Sequence, residues 1–185
     1  MSLTPSNMIP LSSPAPGFEL PDTISGKMLS LNSLKGDKAT VVMFICNHCP
    51  YVKHINPELV RMGNEYIPKG VGFVAISSND RVAEPEDSPE QMKKVATDLK
   101  YPFPYLFDET QQIAKAYDAA CTPDFFVFDK DLKLAYRGQL DDSRPSNNIP
   151  LSGNDIRGAL DAILTGKPVS PRQRPSIGCN IKWKK

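Results

Sequence analysis

The segment VVMFICNHCP at residues 41–50 joins a run of apolar, mostly β-branched residues directly to a pair of cysteines. The run at 41–45 is apolar at every position, which is typical of a strand buried on both faces of a sheet. Cys46 and Cys49 follow as a Cys-x-x-Cys pair, and Pro50 favours the start of a helix. Because ligands of open α/β sheets bind beyond the carboxyl ends of strands, a functional site is expected at this pair.

A cysteine between a strand end and a helix start lies near unpaired backbone N–H groups and the positive end of the helix dipole. Both favour the thiolate and lower a cysteine pKa from about 8.5 toward 7 or below. His48 adds an imidazole that can carry positive charge beside the pair. The two cysteines are about one helical turn apart, so that a buried Cys49 can attack a mixed disulfide on an exposed Cys46. We therefore predict that Cys46 is the nucleophile and Cys49 the resolving thiol.

Two other interpretations of the pair remain open. A Cys-x-x-Cys with a neighbouring histidine can be half of a zinc site, but structural zinc usually requires a second close pair, and Cys121 and Cys179 are far apart in the sequence. The two cysteines can also be inert buried hydrophobes, although the polar Asn47 and His48 between them suit that interpretation poorly. We therefore predict no metal site and no cofactor.

Composition restricts the class of protein. A chain of 185 residues fits one domain with a real core, so it needs no disulfide framework. Its 22 Lys and Arg against 21 Asp and Glu give a net charge of +1, which predicts no nucleic-acid and no membrane partner. The apolar stretch at 39–45 is far shorter than the roughly 20 residues that span a bilayer. We predict one soluble domain over 1–185, with a core at about 15–165 and a Pro/Arg-rich tail at 167–185.

The N-terminal sequence bears on localisation. The first 20 residues contain no charged n-region, and four prolines interrupt every apolar run that could form a signal sequence. This pattern predicts a cytoplasmic protein. A native leader replaced by the Met1-Ser2-Leu3 start is the alternative.

The remaining pattern alternates strands and helices. Strands are expected at 18–20, 27–31, 41–45, 71–76, 103–107, 125–128 and 132–136, and helices at 31–34, near 49–66, 88–99, 110–117 and 154–164. Asn56 and Pro57 form a strong helix start, so a helix begun near Cys49 is expected to bend or restart there. This order predicts an α/β fold, with a mixed central β-sheet flanked by helices and an N-terminal β-hairpin extension.

A second motif, Thr122-Pro123, precedes the apolar run at 125–128. A proline costs a β-ladder least where it opens a strand. Taken alone the bond is expected to be trans, since only about 5–6% of X-Pro bonds in folded proteins are cis.

The order of strand, Cys46-x-x-Cys49, helix and later Thr122-Pro123 resembles the thioredoxin-like fold over about residues 15–164. The resemblance implies that the Thr122–Pro123 bond is cis, that it lies against the cysteine pair, and that its neighbouring backbone pairs with a substrate chain. The side chains expected to shape the site are Asn47, His48, Pro50, Thr122 and Pro123.

The sequences APGFELPD at 15–22 and CNHCPYV at 46–52 resemble peroxiredoxins of the alkyl hydroperoxide reductase/thiol-specific antioxidant (AhpC/TSA) type, and more closely a peroxiredoxin-like bacterial subgroup. Peroxiredoxins carry Pro seven and Thr three residues before the peroxidatic cysteine. Relative to Cys46 those positions hold Ala39 and Met43, and relative to Cys49 they hold Val42 and Cys46. These departures count against ordinary peroxidase activity.

The other two cysteines have open roles. Cys121 adjoins Thr122-Pro123, so it is either a third redox thiol or a small core residue. Cys179 either folds back as a resolving cysteine or packs through Ile177 and Trp183, and packing is the favoured interpretation.

The favoured function is that of a thiol-disulfide oxidoreductase acting on protein or small-molecule disulfides, with a dithiol electron donor. The first alternative is a peroxiredoxin-like thiol peroxidase, in which peroxide oxidises Cys46. The second is a metal carrier or sensor that uses Cys46, Cys49 and His48.

Overall fold

The computed structural model describes residues 3–185, so that Met1 and Ser2 of the start discussed above lie outside the described residues. The strands are β1 (Leu3–Pro5), β2 (Glu19–Pro21), β3 (Met28–Ser30), β4 (Ala39–Phe44), β5 (Val71–Ser77), β6 (Tyr105–Phe107), β7 (Cys121–Thr122), β8 (Asp124–Asp129), β9 (Leu134–Gly138) and β10 (Ile177–Asn180). The helices are α1 (Leu31–Leu34), α2 (Pro50–Tyr66), α3 (Pro89–Asp98), α4 (Gln112–Ala116) and α5 (Asn154–Leu164), with short 3₁₀ helices at Ile67–Lys69 and Pro85–Asp87.

A five-stranded mixed sheet with the order β6-β5-β4-β8-β9 forms the centre of the fold. β4 pairs in parallel with β5 and antiparallel with β8, and all of its residues are buried. A strand paired on both sides and covered on both faces requires an uninterrupted apolar run, which explains the sequence of β4. The predicted α/β fold, with a mixed central sheet flanked by helices, is confirmed.

The two faces of β4 contribute to two separate cores. Val41 and Met43 belong to a core built with α2, α3 and α5, whereas Val42 and Phe44 belong to a second core with α1 and α4. This division follows from the alternation of side chains along a strand. Because both faces are filled by packed side chains, β4 is held rigidly, and so is the loop that follows it.

Of the bend or restart expected at Asn56-Pro57, the restart does not occur. α2 continues through Pro57, although a proline inside a helix removes one backbone hydrogen bond. Its apolar face, which includes Ile55 and Leu59, packs into the core on both sides of the proline. Asn56 is not a cap, because its side-chain oxygen accepts a hydrogen bond from the Tyr101 hydroxyl at 2.8 Å. Tertiary packing therefore overrides the local stop signal.

The chain termini form a second sheet that the sequence pattern does not predict. It has the order β1-β10-β7, and both of its pairings are antiparallel. β10 lies within the Pro/Arg-rich tail and β1 within the N-terminal segment before the predicted core. Both strands are too short to show a periodic pattern, which is why they escape detection.

The remaining elements follow the expected order, with the hairpin of β2 and β3 near its predicted position and α5 at its predicted bounds. Within residues 3–185 we find no helix with the length and apolar character that crossing a membrane requires.

Candidate active site

The Cys46-x-x-Cys49 segment lies between β4 and α2. Cys49 is the residue immediately before α2, with extended backbone angles (φ −68°, ψ 124°), and Pro50 is the first residue of the helix. Proline is favoured there because the N–H it lacks would have no partner inside the helix. Pro50 thus fixes the start of the helix so that the sulfur of Cys49 faces the backbone N–H groups of the first turn.

The structure brings Thr122 and Pro123 against the cysteine pair. The Thr122–Pro123 peptide bond is cis. The sulfur of Cys46 is 3.2 Å from the hydroxyl oxygen of Thr122, and the sulfur of Cys49 is 3.3 Å from the carbonyl oxygen of the same residue. Residues that are 73 and 76 positions apart in the chain therefore form one site.

Both cysteines of the pair are buried, whereas the sequence predicts an exposed Cys46. The exposed fraction is 1% for Cys46 and 0% for Cys49. The backbone N–H groups after Cys46 turn inward to a buried carboxylate, and Thr122 lies against its sulfur. These contacts enclose a thiol that a bare strand end would expose to solvent.

The buried carboxylate is that of Asp87, at the end of the second 3₁₀ helix. Its Oδ1 accepts hydrogen bonds from the backbone N–H groups of Asn47 at 2.6 Å and His48 at 3.3 Å. Its Oδ2 is 2.6 Å from Nδ1 of His48 and accepts a hydrogen bond from the side-chain amide of Asn79 at 2.7 Å. Asp87 is fully buried, and such a charge persists only because it has several donors.

Asp87 and His48 stabilise each other's charged form. The hydrogen bond to Asp87 raises the pKa of His48 above its usual value, although burial acts in the opposite direction. Burial alone would raise the pKa of Asp87, but the hydrogen bonds from His48 and Asn79 outweigh it and lower that pKa. Each partner therefore favours the charged form of the other.

The two thiols of the pair share a proton unequally. The interaction with Cys49, burial and the nearby Asp87 charge all raise the pKa of Cys46 well above its usual value. The interaction with Cys46, with hydrogen bonds from Cys179 and the backbone N–H of Val52, lowers the pKa of Cys49 to about 5. The expected low pKa of Cys46 is thus found on Cys49 instead, because their mutual interaction favours the Cys49 thiolate, burial and Asp87 disfavour that of Cys46, and the backbone N–H of Val52 at the helix start supports that of Cys49.

The side chain of Asn47 fastens the loop to its surroundings. Its amide nitrogen donates to the backbone oxygen of Glu86 at 2.7 Å, and its oxygen accepts from the hydroxyl of Tyr105 at 3.3 Å. Asn47 is buried, so the central dipeptide of the motif packs inside the protein. Asn47 and His48 are both connected to the segment that carries Asp87, and this connection fixes the conformation of the loop.

The remaining cysteines differ in their contacts. The sulfur of Cys121 is 3.5 Å from the carbonyl oxygen of Pro123, and burial raises its pKa. The sulfur of Cys179 is 2.6 Å from that of Cys49. All four cysteines are buried thiols in the described part of the chain. Cys179, which the sequence favours as a packing residue, is thus in direct contact with the pair.

One cluster has the composition of a metal site. Ligand atoms of Cys46, His48 and Asp87 all lie within 4.8 Å of one another. The carboxylate oxygens of Asp87 are already bound by two backbone and two side-chain groups, and Nδ1 of His48 is one of them. A metal ion would have to displace these bonds, so the residues fit an ion pair better than a ligand set.

Sequence reasoning missed Asp87 and Asn79. Asp87 lies in the tract EPEDSP at 84–89, which shows only a helix start, and nothing in the sequence relates it to Asn47 forty residues earlier. Asn79 stands two residues after the buried strand β5, and this position beyond a strand end is the one signal that could have found it.

The comparisons with known proteins agree with this geometry. No curated protein sequence matches the chain. Among solved structures, an uncharacterized conserved protein from Geobacillus kaustophilus is 65% identical, with a TM-score of 0.98 over 100% of this chain and 97% of that one. A hypothetical protein, SMc02350 from Sinorhizobium meliloti 1021, is 46% identical, with a TM-score of 0.95 and 98% of each chain covered.

A more distant structure and a family model define the wider relationship. The thioredoxin domain of a thiol-disulfide oxidoreductase from Bacteroides vulgatus is 23% identical, with a TM-score of 0.60 over 70% of this chain and 89% of that one. This likeness shows that the fold is thioredoxin-like. The model of the AhpC/TSA family matches residues 11–137. Since the match covers more than half of the chain, this protein belongs to the AhpC/TSA family.

Proposed function

We propose that this protein is a thiol-disulfide oxidoreductase in which Cys46 and Cys49 alternate between a dithiol and a disulfide. The observation that carries the proposal is the contact of both sulfurs with Thr122, at 3.2 Å for Cys46 and 3.3 Å for Cys49, together with a pKa of Cys49 lowered to about 5. Two cysteines that contact the same residue, one of them with a lowered pKa, are prepared for thiol-disulfide exchange, which requires a thiolate and a neighbouring sulfur. Membership of the AhpC/TSA family supports thiol-based redox chemistry with disulfide or peroxide substrates.

In the first proposed step, the sulfur of Cys46 attacks one sulfur of a substrate disulfide. Its proton passes to the thiolate of Cys49, the substrate S–S bond breaks, and the second substrate sulfur leaves as a thiolate. In the next step Cys49 attacks the sulfur of Cys46 and releases the first substrate sulfur. The pair loses two electrons, and the substrate takes them up with the proton of the pair and one proton from water. A dithiol donor then reduces the Cys46–Cys49 disulfide.

The side chains around the pair have distinct proposed roles. His48, paired with Asp87, places a positive charge beside the thiols, which stabilises thiolates formed during exchange. The Asp87 carboxylate keeps the proton on Cys46 in the resting state. Thr122 contacts both sulfurs and holds them against the loop before Pro123. As part of this proposal the protein works in the cytoplasm, where dithiol donors keep cysteines reduced.

The experiment is an insulin reduction assay, with dithiothreitol as donor, on the wild-type protein and three variants. Cys46→Ser is expected to abolish turnover, and Cys49→Ser is expected to accumulate mixed disulfides with insulin. Cys121→Ser is the control, because the Cys121 sulfur contacts a backbone oxygen instead of the pair, and it is expected to retain turnover. Wild-type turnover in both Cys46→Ser and Cys49→Ser would contradict the proposal.

The peroxidase alternative has weaker support. Ala39 and Met43, which occupy the positions of the peroxiredoxin Pro and Thr relative to Cys46, are fully buried in β4 and have no hydroxyl to offer a peroxide. We therefore expect the protein to consume hydrogen peroxide no faster than an ordinary thiol. Rapid peroxide consumption that Cys46→Ser abolishes would favour the peroxidase, and stoichiometric zinc or copper in anaerobically purified protein would favour the metal-binding alternative.

A further inference from the structure

The C-terminal strand β10 occupies the backbone edge that leads to Pro123. It pairs antiparallel with β7, with Cys179 opposite Thr122 and Asn180 opposite Cys121. The resemblance to thioredoxin-like proteins implies that this edge pairs with a substrate chain. In this protein a segment of the same chain takes that place, and it carries a cysteine at the position facing the site.

A close backbone approach makes this pairing possible. A Cβ atom at Gly178 would lie 2.0 Å from the carbonyl oxygen of Thr122, so that only glycine fits there. Additional hydrogen bonds fix the tail on both sides of β10. Ser176 donates from its hydroxyl to the carbonyl oxygen of Pro123 at 2.6 Å, and the backbone N–H of Lys182 donates to the side-chain oxygen of Asn79 at 2.8 Å.

The pairing of β10 with β7 brings the sulfur of Cys179 to the site that already holds Cys46 and Cys49. Cys49 contacts Thr122 together with Cys46, and its sulfur lies 2.6 Å from that of Cys179. Cys179 is 1% exposed and is therefore shielded from thiols in solution. A buried sulfur held in contact with one member of a redox pair needs no diffusion to react with it, so its effective concentration is high.

We propose that Cys179 is a third redox thiol, which exchanges with the Cys46–Cys49 disulfide to form a Cys49–Cys179 disulfide. The inference rests on the proposed function, because that reaction supplies the Cys46–Cys49 disulfide. In this proposal β10 acts as an internal substrate strand. Cys49 takes part in both disulfides, first with Cys46 and then with Cys179.

The exchange balances within the chain. The sulfur of Cys179 attacks that of Cys49, the Cys49–Cys179 bond forms, and the Cys46–Cys49 bond breaks. Cys46 leaves as a thiolate and takes up the proton that Cys179 gives up, so no external oxidant or reductant takes part. After the exchange, Cys46 is again a thiol that can attack a second substrate disulfide. The first disulfide is retained in the protein as the Cys49–Cys179 bridge.

The charge on Cys49 controls when this exchange can occur. In the reduced protein, burial and the neighbouring Cys49 raise the pKa of Cys179 to about 12, so Cys179 holds its proton. Once Cys49 enters a disulfide with Cys46, its negative charge is gone, and that contribution to the raised pKa of Cys179 disappears. Nearby Lys182 acts in the direction that favours a Cys179 thiolate. Oxidation of the pair thus activates its neighbour.

The test is disulfide mapping by mass spectrometry. The full chain is reduced, equilibrated with glutathione buffers of increasing oxidised fraction, quenched with acid, alkylated and digested without reductant. The variants are Cys46→Ser, which leaves only the proposed second bridge, and Cys179→Ser, which leaves only the first. Cys121→Ser is the matched control, and Cys179→Ala is a second variant should the serine disturb folding.

The exchange predicts a Cys49–Cys179 bridge in oxidised wild-type protein and in Cys121→Ser, and a Cys46–Cys49 bridge in Cys179→Ser. In Cys46→Ser, where no exchange can occur, the contact between Cys49 and Cys179 predicts the same Cys49–Cys179 bridge by way of a glutathione mixed disulfide on Cys49. The bridge in Cys46→Ser is expected to depend on the native fold and to be lost when oxidation is carried out in concentrated urea. A purely structural role for Cys179 would give no such bridge.

The two failures are distinguishable. If Cys179→Ser forms the Cys46–Cys49 bridge but neither the wild-type protein nor Cys46→Ser forms Cys49–Cys179, the exchange is overturned and the proposed function stands. If Cys179→Ser and Cys179→Ala form no Cys46–Cys49 bridge at any ratio of glutathione, the proposed function is overturned, and the exchange with it.

Discussion

His48 and Asp87 form an ion pair that is almost entirely shielded from water, with Nδ1 of the imidazole 2.6 Å from Oδ2 of the carboxylate. The same carboxylate binds the backbone of the Cys46–Cys49 loop and the side chain of Asn79. One buried carboxylate therefore binds the loop, raises the pKa of His48 and contributes to the raised pKa of Cys46. Four predictions test these relationships and the neighbouring contacts.

The variant Asp87→Asn is expected to lower the pKa of Cys46, since it removes a negative charge that disfavours the Cys46 thiolate. It is also expected to lower the pKa of His48, which loses its charged partner. Breaking a buried ion pair on one side costs about 3–5 kcal/mol of unfolding free energy, and the amide that replaces the carboxylate recovers part of this. Alkylation rates of Cys46 against pH, and urea unfolding, measure the two effects.

The control for Asp87→Asn is Glu86→Gln. Glu86 is the preceding acidic residue, but its side chain is exposed and faces Lys53 across 3.6 Å. Exposed ion pairs contribute little, so this variant should leave both the pKa of Cys46 and the stability close to wild type. Equal changes in the two variants would show that Asp87 has no particular influence on the thiols.

The His48–Asp87 pair gives folding stability a defined pH dependence. The folded pKa of His48 is raised, so its contribution is complete below its unfolded pKa of about 6.5 and is lost as pH rises through the folded value. The folded pKa of Asp87 is lowered, so its contribution is present above about 3.9 and is lost as pH falls through the folded value. The difference in stability between wild type and His48→Asn should be largest between those two limits.

Urea unfolding at a series of pH values measures that difference. His54→Asn is the matched control, since the second histidine pairs its Nε2 with the hydroxyl of Ser143 at 2.7 Å instead of a carboxylate. A wild-type advantage over His48→Asn that stays constant from acid to alkaline pH would contradict the assigned ion pair.

The thiolate of the reduced protein is expected on Cys49. Ultraviolet absorbance of the thiolate should titrate with a pKa of about 5, and Cys49→Ser should remove this transition. Cys46→Ala should move it to higher pH, because the hydrogen bond from Cys46 is the largest cause of the lowered pKa. Cys121→Ser should leave it in place. A transition that persists in Cys49→Ser would instead assign the thiolate to another cysteine.

Gly178 is expected to be essential for seating the C-terminal strand. Gly178→Ala adds a Cβ that would collide with the carbonyl oxygen of Thr122, so β10 must shift or detach. The expected loss is about 1–3 kcal/mol of unfolding free energy, as for overpacked cores. Amide hydrogen exchange should also become faster in β10 than in wild type, and Cys49, which contacts Cys179 of β10, should become easier to alkylate.

Gly158→Ala is the control for that substitution. Gly158 lies inside α5, and a Cβ there meets nothing within 4 Å. Replacing a helix-interior glycine by alanine should stabilise the protein by about 0.5–1 kcal/mol. If Gly178→Ala were as stable as Gly158→Ala and left exchange in β10 unchanged, the close contact of β10 with β7 would be disproved.

The sequence predicts the centre of this fold well, because β4 and the helices carry strong periodic patterns. Cys46 and Cys49 can be predicted as site residues from their position alone, because they lie just beyond the end of a buried strand. The helix does not restart at Pro57, because Ile55 and Leu59, one on each side of the proline, both pack into the core. A local proline signal carries no information about this packing.

What the sequence cannot predict depends on contacts between distant segments. Asp87 acts on a loop forty residues earlier, and Cys179 lies 130 residues from Cys49. The burial of Cys46 and the position of the thiolate follow from these contacts, since each pKa depends on the hydrogen bonds and charges around the sulfur. A motif identifies the reacting residues, whereas the tertiary structure determines which of them holds the proton.

The most direct test of the central claim is the reduction potential of the Cys46–Cys49 pair, measured by glutathione equilibration of Cys179→Ser so that only this bridge is observed. A thiol pKa of about 5 lies between those of thioredoxin and DsbA, so we predict a two-electron transition between about −270 and −120 mV. Mass spectrometry should assign that transition to the bridge between Cys46 and Cys49. The absence of this bridge at every potential would contradict the account.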